Sequence, residues 1–466
     1  MNDKDALIQP DRGQDAIPIH LVNGEGFEKW AKGLSAPQRA ALAGQKFTGK
    51  GYQTAIVPDG DGWFAAGGVA DPADLSSWCL AKLAEVLPAG TYRLAKGEPG
   101  PALFGWQTAQ YRFDRYREEK DGEGARILLT KDVAAIRPIV AEADAANLVR
   151  TLVNTPAEDM GPESLEIEAS HLAKAHGAKL MVTRGDALEK GYPMIHAVGR
   201  AAARSHAPRL IEIEWGAEDA PRVAIVGKGV CFDSGGLNIK PGNSMALMKK
   251  DMGGAAHALA LASLIMEQRL KVRLHLLIPA VENAVSGNSF RPGDVLATRK
   301  GLTVENTNTD AEGRLVLGDA LTKASEDGAA LIIDFATLTG AARVALGPDL
   351  PGLFTRTDDT ATDLLEAGVA NDDPCWRLPL HDGYREMLKS DVADMVNAPS
   401  GGFAGATTAA LFLDRFVGTQ DDGTPIDWAH FDTFAWRPAA KPGRPKGGAA
   451  LGLRAAWHML KKRYGG

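Results

Sequence analysis

Apolar positions along this chain follow two alternating rhythms. Short apolar runs predict strands at 20–22, 54–57 and 63–69. Apolar residues at helical spacing predict helices over 27–34 and 75–87. Residues 1–15 are polar and are expected to fray, and the Gly97–Pro101 stretch reads as a breaker. A long helical pattern over 137–152 offers Ala141, Ala145, Leu148 and Leu152 as core positions, with Pro138 in its first turn. Asn154-Thr155-Pro156 stops it, because proline disfavours helix in the residue before it.

Beyond that turn the alternation resumes. Strands are predicted at 223–226, 272–280 and 331–335, a buried helix at 253–268, and 321–325 falls within another helix. Strand, loop and helix in repetition imply a mostly parallel sheet flanked by helices. The fold class is therefore α/β. We expect a smaller N-terminal α/β domain over 1–130, a linking helix over 131–160 and a larger C-terminal domain over 161–466.

Composition narrows the function classes. Hydrophobic residues make up 45% and charged residues 24%, which suits a globular core. A net charge of -7 argues against nucleic acid as the main partner. Three scattered cysteines, Cys79, Cys231 and Cys375, make neither a disulfide framework nor a zinc-ligand spacing. The start, Met-Asn-Asp-Lys-Asp, lacks an apolar signal core, and no apolar run is long enough for a bilayer. The expectation is a cytoplasmic protein with no membrane partner.

The chemistry sits in two glycine-rich clusters. Gly227 to Gly254 carries Lys228, Asp233, Lys240 and Asp251, and Asn-Thr-Asp-Ala-Glu-Gly-Arg-Leu carries Asp310, Glu312 and Arg314. Each acid has an ordinary reading alone: Asp233 in a turn, Asp310 and Glu312 at a helix start. Together, both after predicted strands, four carboxylates would repel one another without cations. Two divalent ions, about 3.5–4 Å apart, would neutralise them and lower a bound water's pKa towards ~7. With no histidine in either cluster, oxygen ligands admit Mn²⁺ or Mg²⁺ as well as Zn²⁺. Lys228 could ligate once deprotonated, Lys240 could stabilise an oxyanion, and Arg314 could hold a planar anion.

These residues identify a family. Asn308-Thr309-Asp310-Ala311-Glu312-Gly313-Arg314-Leu315 resembles the signature of the leucyl aminopeptidase family of dinuclear metallopeptidases. The first cluster and Ala336-Thr337-Leu338-Thr339-Gly340-Ala341 resemble it too, over roughly 150–466. Asn154-Thr155-Pro156-Ala157-Glu158 and Ala429-His430-Phe431-Asp432 lean towards the bacterial aminopeptidase B-like branch. The resemblance implies that Asp233 and Glu312 bridge the metals, Lys228 and Asp251 complete the tighter site, and Asp310 completes the more exchangeable one. It further implies that Lys240 binds the substrate carbonyl and that Arg314 holds a bicarbonate acting as general base. Met248, Thr337 and Gly340 would line the pocket for the N-terminal side chain, with the Leu338 carbonyl near the incoming amine. It carries peptide substrates, apolar side-chain preference and a homo-hexamer as expectations. Phe434 and Trp436 replace the family's usual Ala-Gly-Thr stretch and could narrow the cavity.

Rival readings remain at this stage. A two-metal esterase or phosphodiesterase would use similar ligands. From Thr433 onward the chain has no acid but carries Arg437, Lys441, Arg444, Lys446, Arg454, Lys461, Lys462 and Arg463. That basic tail could bind nucleic acid, although pairing with acidic neighbours in an oligomer is the favoured reading. His257, alone in an apolar helix, is expected to be a hydrogen-bonded core residue, and Cys231 to be packing.

Overall fold

The structure is a computed structural model describing residues 6–118, 124–420 and 422–465. The chain divides into two compact units, Met1–Asn147 with Ala439–Lys446, and Leu148–Pro438 with Gly447–Gly466. The architecture is α/β in both.

In the first unit, β1 (Ile8–Pro10), β2 (Ile17–Val22), β3 (Thr54–Asp59), β4 (Gly62–Gly68), β5 (Gly90–Leu94) and β6 (Arg126–Thr130) form one sheet. Its order is β1-β6-β5-β2-β4-β3. All neighbours are parallel except β3 and β4, whose two-residue connection permits only a hairpin. Tyr92 and Trp106 fill the core, and the Trp106 indole N–H donates to the Arg126 carbonyl at 2.8 Å.

Three sequence expectations need correction here. The polar start is not frayed over its described part: Ile8, 1% exposed, lies in β1 and pairs with Leu128 of β6. Three residues are too few to show an alternating pattern, and residues 1–5 lie outside the described range. The helix expected over 75–87 is confined to Ala81–Val86. Its expected first turns pack instead as irregular backbone: a Cβ on Gly105 would stand 2.1 Å from the Ser77 carbonyl oxygen. The long helix runs Val133–Asn154, which puts Pro138 inside it, not in its first turn.

The second unit contains β7 (Lys179–Arg184), β8 (Arg209–Trp215), β9 (Arg222–Gly227), β10 (Gly229–Asp233), β11 (Arg273–Asn283), β12 (Val295–Ala297), β13 (Thr303–Glu305), β14 (Leu331–Ala336), β15 (Gly352–Thr355), β16 (Trp376–Arg377), β17 (Met395–Val396) and β18 (Asp427–Asp432). The main sheet has the order β16-β15-β18-β14-β9-β11-β8-β7, with β10 also beside β11. Its centre, β18-β14-β9-β11, is parallel. A small second sheet is ordered β12-β13-β17.

Two helices cover opposite faces of that centre. Ala224 and Val226 of β9 join the core with Leu315, Ala320 and Leu321 of the helix Glu312–Glu326. Gly227 faces the other helix, Gly253–Glu267: a Cβ there would be 2.7 Å from both Ala255 Cα and Ala258 Cβ. That helix is buried around nearly its whole circumference, so it starts tight against the sheet. Its second residue, Gly254, has room for no side chain. A Cβ would lie 2.1 Å from the Phe335 carbonyl oxygen and 2.8 Å from the Lys228 nitrogen.

Gly254→Ala should therefore cost about 1–3 kcal/mol of stability through overpacking. Urea denaturation followed by circular dichroism measures it, and an unchanged midpoint would show that helix and sheet separate freely.

Candidate metal centre

Lys228 occupies the single break between β9 and β10. Its backbone remains satisfied there: its N–H donates to the Phe335 carbonyl at 3.0 Å, and its carbonyl accepts from Ala255 at 2.8 Å. Asp233 ends β10. Its Oδ1 accepts from the Gly235 N–H and from Asn283 Nδ2, both at 2.8 Å, which leaves Oδ2 facing the cluster.

The second cluster approaches from the small sheet. Asp310 and Glu312 follow β13, not a strand of the main sheet as their position after a predicted strand suggested. Side chains pin the two loops together. Asn283 Nδ2 also donates to the Thr309 carbonyl at 3.0 Å, and the Thr309 hydroxyl donates to the Gly235 carbonyl at 2.6 Å. Thr309 N–H donates to Asn238 Oδ1 at 2.8 Å. Asn397 Oδ1 accepts from the Thr307 and Asn308 N–H groups, while its Nδ2 donates to the Asn308 carbonyl at 2.7 Å. Sequence reasoning missed Asn283, Thr309 and Asn397. Only Thr309 lies in a quoted motif, and an amide or hydroxyl that braces a loop has no signature of its own.

The result brings every predicted ligand together. Asp233, Asp310 and Glu312 present oxygens within 4.8 Å of one another. Lys228 Nζ lies 2.6 Å from Asp251 Oδ2 and 2.9 Å from Glu312 Oε1. Lys240 Nζ lies 2.8 Å from Asp233 Oδ2 and 2.5 Å from Asp310 Oδ1. The last contact is charge on charge, since Asp310 Oδ1 accepts no properly directed hydrogen bond. Gly313 makes room for the Lys228 stem: a Cβ would meet its Cε at 2.5 Å. The glycine between Glu312 and Arg314 is thus a packing requirement of the lysine.

The electrostatics show that this cage lacks enough positive charge. Burial, then the neighbouring Asp233, push Glu312 up to about 8 despite both lysines. Burial and Asp233 also raise Asp310. Burial would raise Asp251 as well, but Lys228 and Lys250 overcome it and hold the carboxyl at about 2. Burial disfavours the Lys228 ammonium, yet Asp251 and Glu312 outweigh that and raise its pKa. Lys228, Lys240 and Lys250 stand among four carboxylates and still leave the Glu312 carboxyl raised to about 8. Hard divalent cations fit such a donor set, with Asp233, Asp251, Asp310 and Glu312 as oxygen ligands and Lys228 as a nitrogen ligand after losing a proton.

A cavity of about 690 Å³ opens onto the cage. Lys228, Asp233, Lys240, Met248, Asp251, Asp310, Glu312, Arg314, Thr337, Leu338 and Gly340 all line it. Thr337 does more than line: its hydroxyl donates to Asp251 Oδ1 at 2.7 Å, and its carbonyl accepts from Lys228 Nζ at 3.2 Å. Arg314 donates through Nη1 to the Asn397 carbonyl at 2.7 Å, while its buried Nε has no hydrogen-bond partner. Burial lowers its pKa to about 10, so it stays charged at neutral pH. Phe434 lines the cavity between the Arg343 guanidinium and the Lys250 ammonium, 4.8 and 5.5 Å from its ring centre. Trp436 does not line it and packs against Lys249.

The other candidates have structural roles. His257 is fully buried, with Nδ1 on the Gly253 carbonyl at 2.6 Å and Nε2 accepting from the Leu451 N–H at 3.0 Å. Burial lowers its pKa to about 4. Cys231 is buried and its thiol pKa is pushed up, which makes it a poor nucleophile. A second group, Glu212, His275 and Asp327, resembles a ligand set. Its carboxylates face opposite ring nitrogens, at 3.0 and 3.4 Å, and Lys323 covers both Asp327 oxygens at 2.6 Å. That geometry is a chain of polar contacts ending in the Lys323–Asp327 ion pair. Basic side chains of the tail find acids within the chain itself: Arg437 pairs with Asp349, Lys462 with Asp363, and Arg463 with Asp363 and Asp427.

Comparison with known proteins adds independent findings. A family model described as "Cytosol aminopeptidase family, catalytic domain" matches residues 147–456, and one described as "M17 aminopeptidase, N-terminal domain" matches 17–130. The chain is 43% identical to "Peptidase B" of Pectobacterium carotovorum over 322 residues, 67% of this chain and 72% of that protein. It resembles the crystal structure of a cytosol aminopeptidase from Coxiella burnetii with a TM-score of 0.91 and 44% identity, covering 98% of this chain and 99% of that one. It also resembles the bottromycin maturation enzyme BotP in complex with Mn, with a TM-score of 0.86 and 32% identity, covering 96% and 99% of the two chains. Among the described residues, no helix is long and apolar enough to cross a membrane.

Metal loading should release protons. Glu312 holds a proton below about pH 8 in the metal-free cage and must lose it to ligate. Mn²⁺ affinity should therefore climb steeply as pH rises towards about 8 and less steeply above it, where only the Lys228 ammonium still has to lose its proton. Calorimetric titrations in buffers of different ionisation enthalpy report the proton count, and a pH dependence with no change of slope near pH 8 would remove Glu312 from the ligand set.

Proposed function

Because the chain belongs to the cytosol aminopeptidase family, and is thereby a metal-dependent aminopeptidase, we propose that it removes N-terminal residues from peptides with a pair of divalent ions held in the Asp233–Asp251–Asp310–Glu312 cage. The observation that carries this reading is the gathering of Asp233, Asp310 and Glu312 oxygens within 4.8 Å of one another, with Lys228 and Lys240 set between acids and burial still raising the Glu312 carboxyl. Mn²⁺ or Zn²⁺ are the proposed ions, with Mg²⁺ as a weaker substitute. Asp233 and Glu312 would bridge the pair, Lys228 and Asp251 would complete one site, and Asp310 the other.

The ions, when bound, would polarise the scissile carbonyl and make a water between them acidic enough to ionise near neutral pH. The chain's own side chains do the rest. Lys240, on the cavity wall beside Asp233 and Asp310, places a positive charge where an oxyanion would develop. Arg314 offers a buried, unpaired Nε–H to a planar anion, and bicarbonate is the proposed occupant. Met248, Thr337 and Gly340 form the wall for the first side chain, and the apolar surface of Met248 and Phe434 supports a preference for apolar residues.

A free terminal amine suits the acidic end of the cavity and the nearby Leu338 backbone. Held there, it registers the first peptide bond over the cage, which turns attack into a positioned event. The rival esterase or phosphodiesterase reading has no such need of an amine. A homo-hexamer and a cytoplasmic location belong to the same proposal, and size-exclusion chromatography with light scattering tests the former.

Exhaustive chelation should abolish hydrolysis of leucine p-nitroanilide, and Mn²⁺ should restore it. Glu312→Ala should lower kcat/KM by about a thousandfold or more, about 4 kcal/mol, with loss of bound metal. Near-normal turnover of that variant at stoichiometric metal would overturn the assignment. Peptides acetylated at the N-terminus should resist cleavage, and equal rates for blocked and free peptides would refute the amine registration.

A further inference from the structure

One buried carboxylate outside the proposed ligand set, at the edge of the cavity, holds the Leu338–Thr339 stretch of its wall. Strands β14 and β18 run parallel and end level, with Ala336 opposite Asp432. The neighbouring backbone is tied there too, since the Thr433 N–H donates to the Ala336 carbonyl at 2.9 Å. From β14 the chain turns through Thr337, Leu338 and Thr339 into the helix Gly340–Leu346, and all three turn residues line the cavity. Asp432, 4% exposed, reaches from the next strand under this turn. Its Oδ1 accepts from the Leu338 and Thr339 N–H groups, both at 3.1 Å. Its Oδ2 accepts from the Thr339 hydroxyl at 2.5 Å.

The Thr339 hydroxyl cannot turn away. It accepts the Ala342 N–H at 3.1 Å as the helix cap, so its own proton is committed to Asp432. The wall is thus fixed at two ends: Thr337 ties it to Asp251 and Lys228, and Asp432 ties the Leu338–Thr339 backbone to the sheet. None of the Asp432 bonds touches a proposed metal ligand.

We propose that Asp432 is a positioning residue for substrate binding, one that sets the Leu338–Thr339 wall against the cage without taking part in holding metal. This rests on reading the cavity as the peptide site. An asparagine keeps the shape and an oxygen for the two backbone N–H groups, but its N–H₂ cannot accept the Thr339 hydroxyl proton, which loses its partner. The wall then loosens at Thr339, and the substrate loses its register before the proposed metal ligands move.

The test uses the Mn²⁺-loaded enzyme with leucine p-nitroanilide, comparing wild type, Asp432→Asn, Thr339→Val and Thr339→Ser. Asp432→Asn and Thr339→Val should each raise KM by about tenfold or more, with kcat within about threefold and bound Mn²⁺ unchanged. Thr339→Ser keeps the hydroxyl and should stay within about twofold of wild type. An unchanged KM in Asp432→Asn, or a fall in kcat accompanied by loss of Mn²⁺, would overturn the proposal. If wild type fails to cleave the anilide, or cleaves it despite chelation, the peptidase reading falls with it. Normal chelator-sensitive wild-type turnover with an unmoved variant KM overturns the Asp432 role alone.

Discussion

Three carboxylates with oxygens within 4.8 Å of one another, and a fourth joined to them through Lys228, cannot all be ionised unless positive charge joins them, and the second unit is arranged around that constraint. Lys228 and Lys240 supply part of the charge from within the chain, each set between two acids. The remainder falls to divalent cations, because burial still holds the Glu312 carboxyl high. The cluster is costly for an apoprotein and well suited to a metalloprotein. The same charge deficit that disfavours the empty cage is what would drive metal into it.

Such a cage survives only if its parts cannot drift apart. Glycines allow the close approach: Gly313 admits the Lys228 stem, and Gly254 lets a buried helix start against the strand break that presents Lys228. Neutral amides and hydroxyls then lock loops from two different sheets, Asn283 and Thr309 across the clusters and Asn397 behind the second. These groups add no charge to a site already crowded with it. They restrict where the acids can go, so repulsion raises pKa values and does not open the site.

What could be read from the sequence follows the same physics. Long buried elements such as β9, β14 and the helix Gly253–Glu267 announce themselves by continuous apolar runs, and the charged residues of the motifs stand out because charge in glycine-rich loops has few structural uses. Short or half-buried pieces do not. The three-residue β1 offers no period, and the irregular backbone before Ala81 borrows apolar residues at helical spacing. The origin of the second cluster in the small sheet was equally hidden, because β13 is three residues long and its pairing with β17 joins positions about ninety apart. Bracing residues were invisible for a different reason: the role of Asn397 or Asp432 depends on which loop folding brings beside it.

Two suspension systems emerge, and they meet at a single residue. Asp233 and the loop before Glu312 hang on β10 and β11, whereas the wall formed by Leu338 and Thr339 hangs on β18 through Asp432. Thr337 belongs to both, bonded to Asp251 on one side and leading into the wall on the other. A change on β18 or just beyond it can then reshape the substrate wall while the cage keeps its geometry. Phe434 marks such a place, two residues past Asp432, with its aromatic ring on the cavity wall between Lys250 and Arg343. Separating the support of the metals from the support of the substrate lets specificity vary without moving the charges on which the chemistry depends.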